Sequence, residues 1–217
     1  MGGSIAPVRF HEMDWRVLAY AACTHFRTDS FEQGVALASA ISEHAERSGG
    51  HPDVDLRANG VTVRLKVNEA GELTEGDVQL AGAISAAARE LGITVDPSGV
   101  QQFQIAIDAM DIPAVMPFWA AVLGYDQVFD VVMDPHFEGP TFWFQQMDAP
   151  RPQRNRIHID LYLPEEQARA RVDAAVAAGG RIVNDSHAPH WWTLADPEGN
   201  EVDVAPWPDA TRANPEE

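Results

Sequence analysis

Residues 155–204, NRIHIDLYLPEEQARARVDAAVAAGGRIVNDSHAPHWWTLADPEGNEVDV, spell out one supersecondary unit. Ile157-His158-Ile159-Asp160-Leu161-Tyr162-Leu163 alternates apolar and polar residues, as a half-buried strand does. Pro164 opens a helix at the position where a missing N–H is no loss, and Gly179-Gly180 closes it. Short β-prone pieces follow at 181–184, 191–195 and 201–204. The last two are separated by Asp196-Pro197-Glu198-Gly199-Asn200, whose Pro and Gly suit a tight reversal. The order is β-α-β-β-β.

The same order occurs once before. A strand at 103–107 leads to a helix at 113–123 closed by Gly124, then to strands at 127–132 and 141–147. Setting Gln104 against His158 brings Pro113 close to Pro164. Neither copy can bury its sheet face alone, so the two are expected to pack into one body. Over residues 100–207 this repeat resembles the vicinal-oxygen-chelate superfamily, the glyoxalase-like fold, in which two βαβββ modules curl into a cup around a small ligand. Asn155-Arg156-Ile157-His158-Ile159-Asp160 and Asp196-Pro197-Glu198-Gly199-Asn200-Glu201 are most similar to its glyoxalase-like bacterial branch.

Composition narrows the function. Fifteen Lys and Arg against 33 Asp and Glu give a formal net charge of -18, which repels nucleic acid and anionic lipid alike. No apolar run reaches membrane-spanning length. Met1-Gly2-Gly3-Ser4 lacks the features of a signal peptide. The single cysteine, Cys23, excludes an internal disulfide and reads as a buried thiol of a cytoplasmic protein. The expected partner is a small molecule.

Ahead of the repeat, one or two strands are expected at 15–27. Ser30 with Gln33 makes a capping-box pattern, starting a helix at 31–47 with Val35, Leu37, Ala38, Ile41 and Ala45 on its apolar stripe. Strands at 54–57 and 61–67 flank Ala58-Asn59-Gly60. Thr74 caps a second helix that ends at Leu91-Gly92 and buries Val78, Leu80, Ala81, Ile84, Ala88 and Leu91. Asp96-Pro97-Ser98-Gly99 has linker composition. The domains expected are therefore 1–96 and 97–210, followed by a tail at 211–217, and the class is α+β.

Gly50-His51-Pro52-Asp53-Val54-Asp55-Leu56, Val61-Thr62-Val63-Arg64-Leu65 and Gly71-Glu72-Leu73-Thr74 with Asp77 are similar to pterin-4a-carbinolamine dehydratase. The resemblance implies a small α+β domain whose histidines move a proton as water leaves a carbinolamine. His51 matches one histidine of that set. Gly50 stands where another belongs, and Asn68 replaces a third; an amide can bind a ligand but cannot relay a proton near neutral pH.

In the cup, the superfamily's ligand positions at module openings and ends map onto Gln104, Gln145, His158 and Asp203. Inward residues of curling strands converge, so these four are expected to floor a pocket. Two amides, one imidazole and one short carboxylate are a poor field for a divalent metal. A metal-free pocket is expected, with a divalent ion as the alternative. His187 and Trp192, in the loop Ser186-His187-Ala188-Pro189-His190-Trp191-Trp192, are ligand-stacking candidates, although one of the two indoles should be core. Arg151, Arg154 and Arg156 form a small basic run, read as a solvated linker.

Three readings follow. The first is an enzyme of lyase, isomerase or cyclase type using His158 and Asp203 in the cup. The second is a binding or sequestering protein without turnover. The third is a residual 4a-hydroxytetrahydrobiopterin dehydratase using His51. Both resemblances imply assembly through sheet edges or helices, and a homodimer is expected.

Overall fold

The computed structural model describes residues 8–151, 153 and 155–206. Arg154, the opening four residues and the tail at 211–217 lie outside the described residues. The chain divides into two compact units, Met1–Gln102 and Phe103–Glu217.

In the first unit a short helix α1 (Val8–His11) precedes β1 (Arg16–Leu18) and β2 (Ala21–Arg27). Helix α2 (Phe31–Ser48), strands β3 (Asp53–Arg57) and β4 (Gly60–Lys66), helix α3 (Glu75–Glu90) and β5 (Thr94–Val95) follow. The sheet order is β1-β2-β4-β3, with β5 also on β2. The Ser30 hydroxyl accepts from Gln33 N at the start of α2, and Gly49 ends it with a left-handed φ of 68°. Thr74 and Asp77 form a reciprocal capping box on α3. Leu37, Ile41, Val78, Ala81, Ile84 and Ala88 pack on Phe26, Val61, Val63 and Leu65.

Three details differ from expectation. Leu91, expected to be buried, is 38% exposed just past the end of α3. Val35 is 46% exposed, because two residues of helix place it about 160° around from Leu37. Residues 94–99 belong to the first unit and not to a linker: β5 pairs with β2 and Asp96 N donates to His25 O at 2.7 Å. The boundary therefore falls after Gln102.

The second unit repeats one topology. Strand β6 (Gln104–Ala109), helix α4 (Ile112–Leu123), β7 (Asp126–Val128), β8 (Val131–Met133) and β9 (Thr141–Gln146) form the first module. The second consists of β10 (Ile159–Leu163), α5 (Glu165–Ala177), β11 (Arg181–Asn184), β12 (Trp192–Ala195) and β13 (Glu201–Pro206). Their sheet orders are β6-β9-β8-β7 and β10-β13-β12-β11, with the opening strand parallel to the last in each. Phe118, Trp119 and Phe142 share one core with Val172, Trp192, Leu194, Val202 and Val204. The two modules thus bury each other, as a repeated half-covered unit must. The sheets do not close into a barrel. The fold is α+β throughout.

Candidate functional site

Alternation along β10 turns Ile159, Leu161 and Leu163 toward the core and leaves Asp160 and Tyr162 exposed. On β13, Val202 and Val204 are buried, so Asp203 shares the open face. The parallel ladder sets Asp160 beside Asp203, two like charges on neighbouring strands. His158 immediately precedes β10. Its Nε2 lies 3.3 Å from Asp160 Oδ1 and 3.9 Å from Asp203 Oδ2. All three side chains reach solvent, at 53%, 46% and 24% exposure.

His158 and Asp203 come together, whereas the two glutamines do not join them as one floor. Gln104 is opposite Thr141, and Gln145 is opposite Asp108. They share a face four register positions apart, about 13 Å at ~3.3 Å per residue. The register also shows why symmetry misleads here: Ile105 pairs with Phe142 as Ile159 pairs with Val202. The counterpart of Asp203 is therefore Trp143, and that of Gln145 is Ala205. Asp160, the third member of the cluster, was legible in the alternation of 157–163 but lay outside the expected set.

The other candidates fall elsewhere. Trp192 is 7% exposed within the core, so it is the inward indole of its pair and not a stacking surface. His187 is exposed, but its ring lies against Trp191 with centroids 4.0 Å apart and planes at 14°. In the first unit His51 is exposed in the loop between α2 and β3. Asn68 Oδ1 accepts from Ala70 N at 2.9 Å and Glu72 N at 3.1 Å, so its carbonyl holds a turn. At Gly50 a Cβ would come within 2.6 Å of Leu80 Cδ2. Leu80 occupies the space that a second histidine needs.

In the sequence Asp196 is the first residue of a turn. It is fully buried. Its Oδ1 accepts from Glu198 N and Asn200 N, each at 2.9 Å. Its Oδ2 accepts from Trp119 Nε1 at 3.0 Å and Asn200 Nδ2 at 2.7 Å. Four donors satisfy a carboxylate that would otherwise be costly to bury. The sequence carries only a local cue, an Asp opening a Pro-Gly turn, where its side chain can accept from following backbone N–H groups.

Among the described residues no helix is long and apolar enough to cross a membrane. The family model described as pterin 4 alpha carbinolamine dehydratase matches residues 7–87. The one described as glyoxalase-like domain matches residues 104–205. The chain is 38% identical over 76 residues to a protein of Nocardia farcinica assigned as pterin-4-alpha-carbinolamine dehydratase, covering 35% of this chain and 80% of that one. A Chloroflexus aurantiacus protein with the same assignment is 38% identical over 71 residues, 33% of this chain and 76% of its own. Among solved structures, a transcriptional coactivator/pterin dehydratase from Brucella melitensis aligns at 20% identity and TM-score 0.36, over 40% of this chain and 99% of that chain. A fosfomycin resistance protein from Mesorhizobium loti aligns at 8% identity and TM-score 0.41, over 48% of this chain and 90% of its own. The chain belongs, through its first unit, to the pterin-4-alpha-carbinolamine dehydratase family, and it joins to that domain a glyoxalase-like one.

Proposed function

We propose that the second unit takes a small molecule on the open face of its β10–β13 sheet and moves a proton there, with His158 as the acid/base group. The observation that carries this is the convergence of His158 Nε2 on Asp160 and Asp203, at 3.3 and 3.9 Å. Carboxylates beside an imidazole orient its ring for proton transfer. A base that returns its proton elsewhere on the same substrate serves lyase, isomerase or cyclase chemistry.

The same three residues each offer one ligand atom, all within 4.8 Å of one another. One imidazole nitrogen and two carboxylate oxygens suit a divalent ion such as Mn²⁺ or Zn²⁺ better than the amide-rich set did. Such an ion would polarise a substrate oxygen. The two roles exclude each other at Nε2, since a nitrogen that binds metal cannot take a proton. Elemental analysis of the purified protein distinguishes them.

The testing experiment is a thermal-shift screen of vicinal dicarbonyls, epoxides and planar heterocycles, with and without Mn²⁺. Because His158 is half exposed, His158→Ala should melt nearly as the parent does. It should also lose stabilisation by any compound that protects the parent, and turnover should fall by ~10²-fold or more. A compound that protects both proteins equally would remove His158 from the site.

A second reading rests on Trp143 and Tyr162, 37% and 54% exposed on strands β9 and β10. Aromatic faces turned outward suit capture of a planar ligand without conversion. Recovery of the bound compound unchanged would favour it. For the first unit, His51 without its two partners supports dehydration at least ~10²-fold slower than a full set would.

A further inference from the structure

His158 is half exposed, so packing does not hold it; its backbone must. On its C-terminal side the β10–β13 ladder begins at Ile159 opposite Val202. On its N-terminal side Arg156 and Ile157 are exposed, Ile157 by 82%. Among the described residues the one hydrogen bond holding 155–157 is Asn155 Nδ2 to Asn200 Oδ1, at 2.7 Å. Asn200 is itself fixed, because its Nδ2 donates to Asp196 Oδ2 at 2.7 Å. The same carboxylate oxygen accepts from Trp119 Nε1 in the core.

We propose that Asn155 and Asn200 are positioning residues for His158, linking it through Asp196 to Trp119 on the helix of the first module. The chain runs from a buried indole to an exposed imidazole and crosses both modules. It would make a site lying wholly in the second module depend on the first. Without the Asn155 tie, His158 would sit at a free strand end, where ladders fray. Asp203 would stay in place on β13. The distances from Nε2 to Asp160 and Asp203 would then no longer be held.

This inference rests on the reading of His158 as the working group, and its test separates the two. The probe is the His158 ring itself, followed by ¹³Cε1 relaxation in the full chain, with Mn²⁺ affinity measured alongside. Asn155→Ala is expected to leave the melting temperature within a few degrees while clearly increasing His158 ring mobility. Mn²⁺ binding should weaken roughly five- to tenfold. In a His158→Ala background, Asn155→Ala should leave any remaining Mn²⁺ binding unchanged. Asn155→Ser, which keeps a hydroxyl donor, should recover part of the ring order. If the parent binds no Mn²⁺, the cation role fails, while the relaxation comparison still decides the positioning role. Unchanged ring mobility in Asn155→Ala overturns the proposal, as does an equal loss of Mn²⁺ affinity with and without His158.

Discussion

Any side chain at position 50 meets Leu80, which is 2% exposed, because the built Cβ falls 2.6 Å from Leu80 Cδ2. Gly50→His would restore an imidazole beside His51 only by displacing a core methyl group, with an expected loss of ~1–3 kcal/mol. Denaturant midpoints measure it, and pairing the change with Leu80→Ala should give less than the sum of the single effects. At Cys23, burial pushes the thiol up to about 11, with Arg64 pulling the other way. The folded protein therefore favours the neutral thiol. Its contribution to stability is complete below the unfolded value of about 8.5 and drains away as pH climbs to about 11. Unfolding free energies measured across that window should fall less steeply in Cys23→Ala than in the parent. The native thiol should react slowly with iodoacetamide at neutral pH. Tyr125, pushed up to about 12 mainly by burial, leaves a residual alkaline slope in the variant.

At the scale of elements, caps and apolar stripes located all the long helices and most strands. Ser30, Thr74, Gly49 and Gly124 act where their chemistry places them. What escaped was short or set by tertiary contact. The expected strand at 127–132 is a hairpin, β7 and β8, turning at Phe129 with a φ of 55°, which no Gly or Asn announces. Strand β5 has two residues and exists only because β2 offers it an edge. The start of α4 shows the same dependence. Asp111 caps it from within, accepting from Ala114 N. The preceding donors, Met110 N and Asp111 N, go to Glu198 at 2.8 and 2.6 Å from the distant β12–β13 turn. A carboxylate at a helix N-terminus contributes about 1 kcal/mol. Glu198→Ala should lower stability by that amount, and Glu198→Gln, which keeps a neutral acceptor, should lower it by less. Equal midpoints for the parent and Glu198→Ala would show the contact to be energetically idle.

Over the whole molecule, motifs and repeat pattern were enough for two units, but only half of the expected pocket floor formed. Gln104 keeps its correspondence to His158, but Gln145 rests on a correspondence that slips by two residues at the last strand, and only the ladder register reveals the slip. Asp196 was hidden for another reason: its partner Trp119 is 77 residues away. The two cores are separate in sequence as well. One runs from Phe10 to Ile93 with Val95 packed on it; the other begins at Ile105 and ends at Val204. Each unit, at roughly a hundred residues, is large enough to fold on its own core. Cutting the gene after Gln102 should therefore yield two fragments that each unfold cooperatively. The fragment beginning at Phe103 should retain the cross-module bond from Trp119 to Asp196, and with it the His158 cluster. Near-UV circular dichroism of its five tryptophans, Trp119, Trp143, Trp191, Trp192 and Trp207, reports whether that core is fixed. A flat near-UV spectrum with intact far-UV signal would mean that the second unit needs the first to pack.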